Sequence, residues 1–298
     1  MRRPIALHCL AAAAAAAVLP CPAFAWGNEG HEVVALIARS YLAPPVLARV
    51  DQLLAEDNDS LTGHDMASRA TWADKWREQD RASAPWHFTD LELGRPDLEA
   101  ACSERSCAAE KVEQFSRELA GRHTSEAERI FALKMVLHLI GDIHQPLHSS
   151  TAFSDGRNDA GGNCERVVVP SFFSVGRPMS LHAYWDDAVV QALGRDPRTV
   201  ASRLRSQITP AEVRVWSQGD TRAWTMEAYA VAAKVAYRFG GPPQCGGYTV
   251  PLSSDYQART HQAGALQLER AGVRLATVLN SSISASLARD RRVNFGRN

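Results

Sequence analysis

The chain has 298 residues, enough for one large domain or two small ones. Hydrophobic residues make up 45% and charged residues 22%, which excludes a disordered or fibrous chain. The 33 basic and 33 acidic side chains argue against a protein that grips duplex nucleic acid through a broad basic surface. Arg2 and Arg3 precede an apolar run over 5–19, and Ala23-Phe24-Ala25 offers a small-x-small cleavage site. Residues 1–25 are therefore predicted to be a secretory signal, and the mature chain, 26–298, begins at Trp26. Pro20 before Cys21 fits a lipoprotein site poorly. No later stretch reaches about 18 uncharged apolar residues, so the expected product is soluble and secreted or periplasmic, without stable membrane association.

Helical periodicity covers most of the mature chain. Val34, Ile37 and Tyr41 share a face, and Pro44-Pro45 stops that helix and opens another through Leu54. Amphipathic helices are predicted over 64–79 and 105–120. Ser125 and Glu128 form a capping box ahead of Ile130, Leu133, Leu137 and Ile140, in a segment apolar nearly all round, as for the centre of a bundle. Further helices are predicted over 181–193, 197–206, 210–217 and 220–238. A long one over 255–290 carries Leu268, Ala271, Leu275 and Val278 on one stripe. Turn-rich stretches over 151–180 and 239–254 lie between, with a short strand expected at Val167-Val168-Val169. No repeat or linker divides the chain. The expectation is a mainly α, single-domain helical bundle with few short strands.

Removal of the signal leaves four cysteines, Cys102, Cys107, Cys164 and Cys245. An even number in an oxidising compartment points to two disulfides. Of the three pairings, Cys102–Cys107 with Cys164–Cys245 is preferred because the first pair is already local.

The histidines carry the chemistry. In the run His138-Leu139-Ile140-Gly141-Asp142-Ile143-His144-Gln145-Pro146-Leu147-His148, His138 and Asp142 are four apart and project from one helix face. That spacing lets an imidazole and a carboxylate share a metal ion. Pro146 ends the regular helix and frees His148 to turn toward a neighbouring site. His182 and Asp186 repeat the device. Asp74 lies in Trp72-Ala73-Asp74-Lys75-Trp76-Arg77, His87 in Trp86-His87-Phe88-Thr89-Asp90, and His31 five residues after Trp26. His144 points away from His138 and is assigned a supporting role; His64, His123 and His261 are taken as ordinary polar residues. Nitrogen and carboxylate donors without thiolates suit zinc, and incomplete coordination is typical of catalytic sites.

Trp26-Gly27, Gly30-His31, Trp72-Ala73-Asp74, Trp86-His87-Phe88, the run 138–148, Gly161-Gly162-Asn163 and His182-x-x-Trp185-Asp186 occur in that order. Taken together they resemble the zinc-dependent, single-strand-specific nucleases of fungi, plants and bacteria. The resemblance spans 26 to about 187. It implies a cleft with three zinc ions per chain: one held by Asp74, His87, His138 and Asp142, a second by Trp26 (free amine and carbonyl), His31 and Asp142, and a third by His148, His182 and Asp186. Ser180 departs from the asparagine usual in that family.

The implied reaction is phosphodiester hydrolysis of single-stranded DNA and RNA to 5′-phosphate products; the sequence leaves open whether 3′-nucleotidase activity on nucleotides accompanies it. Asp74, Arg77 and Asp142 would be catalytic. Arg77 would also contact phosphate, while Phe88 stacks on an unpaired base and Asp90 accepts from its edge. A monomer is expected. Zinc phospholipase C shares the three-zinc plan and the terminal Trp, but typically has Glu where this chain has Asp186. A helical protein with purely structural zinc is the non-enzymatic alternative; the shared Asp142 and the three-ligand third site, which leave room for water or substrate, favour catalysis over it.

Overall fold

The computed structural model describes residues 26–104, 106–154, 156–171 and 174–295; the expected signal at 1–25 lies outside them. Helix α1 (Gly27–Arg39) ends before Tyr41, and Pro44 and Pro45 open α2 (Pro44–Ala55) as its first residues. The helix expected over 64–79 is two: α3 (Met66–Arg69), capped by the Asp65 carboxylate, and α4 (Trp72–Gln79). The break frees the Ala70 carbonyl to accept a hydrogen bond from His138 Nδ1 at 2.8 Å. A 3₁₀ segment (Arg81–His87) and the short α5 (Leu98–Ala101), neither expected from periodicity, precede α6 (Ala108–Ala120).

Helix α7 (Glu126–Asp142) starts at the expected capping box and is buried from Leu133 to its end. It is the central rod, and α1, α2, α4 and α6 all pack on it. A 3₁₀ turn (Pro146–His148) follows, then short strands β1 (Phe153–Ser154), β2 (Arg157–Asn158), β3 (Arg166–Val168), β4 (Pro170–Ser171), β5 (Ser174–Val175) and β6 (Met179–Ser180). The expected strand at 167–169 is β3, shifted by one residue. It lies between β6, antiparallel, and β7 (Val250–Pro251), parallel.

The segment over 181–193 divides into α8 (Leu181–Ala183), a π-helical turn (Tyr184–Ala188) and α9 (Val189–Leu193). Then come α10 (Pro197–Gln207), α11 (Pro210–Trp216), α12 (Thr221–Val231) with a second π turn (Ala232–Ala236), and α13 (Ser254–Phe295). Helix α13 spans the molecule and packs on α1, α6, α7 and α9. Gly272 permits that contact, since a Cβ there would lie 2.4 Å from Ile37 Cγ2. Among the described residues no helix is long and apolar enough to cross a membrane. Both expected disulfides are present, Cys102–Cys107 and Cys164–Cys245. The fold is mainly helical, as the periodicity predicts.

Candidate metal centre

The histidines, aspartates and tryptophan singled out in the sequence as ligands are brought to one buried region at the C-terminal end of α7. His31, His87, His138, His148 and His182, with Asp74, Asp142 and Asp186, are each almost wholly buried; the Trp26 indole reaches the same helix end at Gly141, while His144 lies on its far side. Three groups form within it: His31, His138 and Asp142; Asp74, His87 and His138; and His148, His182 and Asp186. The ligand atoms within each group lie within 4.8 Å of one another. A fourth grouping contains Cys164 and Cys245, whose sulfurs are committed to their disulfide.

The hydrogen bonds fix which nitrogen each ring turns inward. His138, His148 and His182 donate Nδ1–H to the carbonyls of Ala70, His87 and Gly161, at 2.8, 2.8 and 2.7 Å. In the neutral rings the Nε2 atoms then carry the lone pairs, aimed into the site. His148 Nε2 and His182 Nε2 face each other at 3.1 Å, with Asp186 Oδ2 3.4 Å from the latter. His138 Nε2 lies 3.1 Å from His87 Nδ1, 3.3 Å from Asp142 Oδ2 and 3.7 Å from Asp74 Oδ1. His87 Nδ1 is also 2.9 Å from Asp142 Oδ2. On the other side of Asp142, His31 Nε2 is 3.5 Å from Oδ1, and its ring stacks on His138 at 3.9 Å. Lone pairs facing one another in a buried site repel unless a cation lies between them. The donor set, nitrogen and carboxylate oxygen with no thiolate, fits zinc.

Electrostatics agree with that demand for positive charge. Burial opposes protonation of His138, but Asp142 and Asp74 outweigh it and lift the imidazole to about 9. Asp142 is itself buried, yet His138 and His87 hold it well below the ordinary carboxylate range. Burial lowers His182 to about 4, and the nearby Arg77 adds to the effect. Arg77 therefore stands within electrostatic reach of the third group while pairing with Asp74 Oδ1 at 3.0 Å.

Trp26 is fully buried and donates indole Nε1–H to the Gly141 carbonyl at 3.0 Å, beside Asp142. Its φ of 33° is left-handed, a strained state for a residue with a side chain. Phe88 packs its ring 4.5 Å from that of His148. Asp90 reaches solvent, but desolvation and the nearby Asp159 push its carboxyl to about 6. Ser180, the departure from the family pattern, accepts from Ala183 N–H at 3.0 Å and so caps the turn that carries His182. His144 is buried on the far side, its Nδ1 donating to Ile140 O and its Nε2 accepting from Arg274.

Several supporting residues have no signal in ligand spacing. A Cβ on Gly141 would lie 2.7 Å from His31 Nδ1, so only glycine admits that ring. A Cβ on Gly30 would lie 2.7 Å from Trp26 Cβ. Gln145 Nε2 donates to Asp186 Oδ1 at 2.6 Å. All three sit inside motifs, and their neighbours' roles are the only sequence clue to their own.

A family profile described as S1/P1 nuclease matches residues 26–284. The chain belongs to that family, whose members are phosphodiester hydrolases. It is 34% identical to Nuclease S1 of Aspergillus oryzae over 170 residues, covering 55% of this chain and just over half (54%) of that protein. Nuclease P1 of Penicillium citrinum is 26% identical over 288 residues, covering 89% of this chain and 100% of that one. Endonuclease 2 of Arabidopsis thaliana is 26% identical over 277 residues, 86% and 89% of the two chains.

Proposed function

We propose that the chain is an exported zinc-dependent endonuclease that hydrolyses single-stranded DNA and RNA to 5′-phosphate products and removes 3′ phosphates from nucleotides. The observation that carries this reading is the convergence of inward-facing imidazole lone pairs on carboxylates, with Asp142 offering one oxygen to each of two groups. Asp74, His87, His138 and Asp142 would hold one ion; Trp26, His31 and Asp142 a second; His148, His182 and Asp186 a third. Bound there, zinc supplies Lewis-acid chemistry, bringing the pKa of water toward neutrality and offsetting charge that builds on the phosphodiester.

The chain's own groups do the rest. Asp142, with one oxygen toward His31 and the other toward His138, would serve two of these sites. The Arg77 guanidinium, held by Asp74, meets the phosphate oxygens. Phe88 offers a ring face to an unpaired base beside His148, and Asp90 accepts from the base edge. A base inside a duplex cannot reach that face, which gives a physical reason for single-strand preference. The tie from the Trp26 indole to Gly141 holds the backbone of residue 26 at the site, so cleavage before Trp26 would place a free amine there. The family match and the nuclease names of its relatives favour nucleic acid over phospholipid.

The test compares the chain starting at Trp26 with one carrying a few extra N-terminal residues. Zinc content and release of nucleotides from denatured DNA and RNA are measured, with diacylglycerol release from lipid micelles alongside. The short chain is expected to hold more zinc and cleave only the nucleic acids. Equal zinc and equal rates would remove Trp26 from the site; diacylglycerol release alone would transfer the assignment to a phospholipase C.

A further inference from the structure

Beyond the ring at Phe88, the chain carries exposed aromatic side chains that hydrolysis at the metal centre does not use. Among the described residues the exposed large apolar side chains are Phe153, Val215 and Tyr248, at 52%, 67% and 67%. Val215 lies on α11, which carries none of the candidate ligands. The other two lie on segments that touch each other, and the one that carries Phe153 leads out of the site. Phe153 pairs across the β1–β2 hairpin with Asn158. The Asn158 carbonyl lies 3.8 Å from Cys245 Sγ, and Tyr248 comes three residues later, its hydroxyl against Gly241.

The Phe153 segment is rigidly joined to the candidate centre. Thr89 N–H donates to His148 O at 2.7 Å, Thr151 N–H to Leu91 O at 2.9 Å, and Leu93 N–H to Thr151 O at 2.9 Å. The strand leaving His148 thus runs beside the one leaving Phe88 and ends at Phe153. Five residues of extended chain place Phe153 no more than about 17 Å from His148. At the base of the hairpin, Asp159 accepts from Ala152 N–H at 2.8 Å and from Tyr237 OH at 2.8 Å. A single surface phenylalanine needs no explanation. Two exposed aromatics on loops that hydrogen bonds and a disulfide hold in place, one of them leading directly from His148, are a different matter.

We infer that Phe153 and Tyr248 form a stacking rim for nucleobases of a single strand outside the nucleotide at the scissile bond. The inference rests on the nuclease reading and adds to it a subsite that senses strand length. Stacking is sequence-tolerant because every base has a π face, and alanine substitution of such a platform costs about 1–3 kcal/mol per base, equivalent to roughly 5- to 150-fold.

The experiment uses F153A, Y248A, the double variant and F153W on the mature, zinc-loaded chain, with a dinucleotide and a single-stranded 10-mer as substrates. Each alanine variant is expected to raise KM for the 10-mer about fivefold or more. The turnover number and all dinucleotide kinetics should stay unchanged, and F153W should restore the wild-type KM. Binding of a phosphorothioate 10-mer, measured by fluorescence anisotropy in chelator, gives a second readout that needs no turnover. An unchanged 10-mer KM, an equal loss on the dinucleotide, or no 10-mer binding by the wild type would each overturn the rim. Wild-type binding of the 10-mer that weakens in the variants, without hydrolysis by any of them, would support the rim and count against the nuclease reading alone.

Discussion

Gly141→Ala adds one methyl group to the centre of the site. Alanine is the better helix former, so the change would ordinarily stabilise α7 by about 0.5–1 kcal/mol. Here the new Cβ would lie 2.7 Å from His31 Nδ1 and 2.8 Å from Cε1, where ordinary contact begins at 3.4 Å. The ring must retreat by about 0.7 Å, more than the ~0.5 Å within which a functional constellation tolerates displacement. It has little room, being fully buried and stacked on His138 at 3.9 Å. Overpacking of this kind costs about 1–3 kcal/mol, so the net loss of stability should be about 0–2.5 kcal/mol and the fold should survive. The effect on metal should be larger: disturbing a ligand's support typically costs 10–100-fold in affinity. The assay is zinc per chain after dialysis against a graded chelator, alongside a thermal melt. Gly272→Ala is the control, because its Cβ would strike Ile37 in the apolar core and should lower Tm without loss of zinc from the folded chain. Wild-type zinc affinity and wild-type hydrolysis in G141A would refute the argument.

Gln145→Ala should release Asp186 from its 2.6 Å hydrogen bond. Burial already pushes that carboxyl well above the ordinary range, so the variant should lose about one zinc in titrations while keeping the others about as tightly. Asp90 loses its charge as pH falls through about 6, so KM for oligonucleotides should rise below that value and D90N should flatten the profile. A pH-independent KM in the wild type would remove Asp90 from the base contact. In chelator, His182 resists protonation down to about 4 while its unfolded form accepts a proton near 6.5, so stability should fall by about 3 kcal/mol between those values. His138, raised to about 9, acts oppositely: its contribution is full below 6.5 and is lost as pH climbs through 9. Denaturant unfolding across pH 4–10 should therefore show a maximum between the two limits, and a flat profile would contradict both shifts.

The helices are legible in the sequence wherever apolar spacing and a cap coincide. Ser125 and Glu128 mark the start of α7, and Pro44 that of α2, because these signals are local. The break between α3 and α4 is not legible, because it is set by a partner 68 residues away: His138 needs the Ala70 carbonyl. The π turn at Tyr184–Ala188 is likewise invisible to a 3.6-residue pattern, and it carries Asp186. The candidate ligands can be found because metal chemistry restricts residue type and, on helices, spacing. Their supports cannot: a glycine that makes room for His31 and a glutamine that holds Asp186 differ in no local way from any other glycine or glutamine. His144 shows the reverse case. It sits between two site motifs, yet the fold turns it to Arg274, where it joins α7 to α13.

The central claim is that the three side-chain groups at the end of α7 are zinc sites that drive phosphodiester hydrolysis. It is tested most directly by elemental analysis of the mature chain during stepwise chelation, with hydrolysis of single-stranded DNA and circular dichroism tracked in the same samples. The account predicts three zinc ions per chain at the start, activity that disappears as zinc is withdrawn and returns with it, and helix content that persists throughout. Full hydrolysis by a chain stripped of metal, or a chain that binds no zinc when it is supplied, would contradict it.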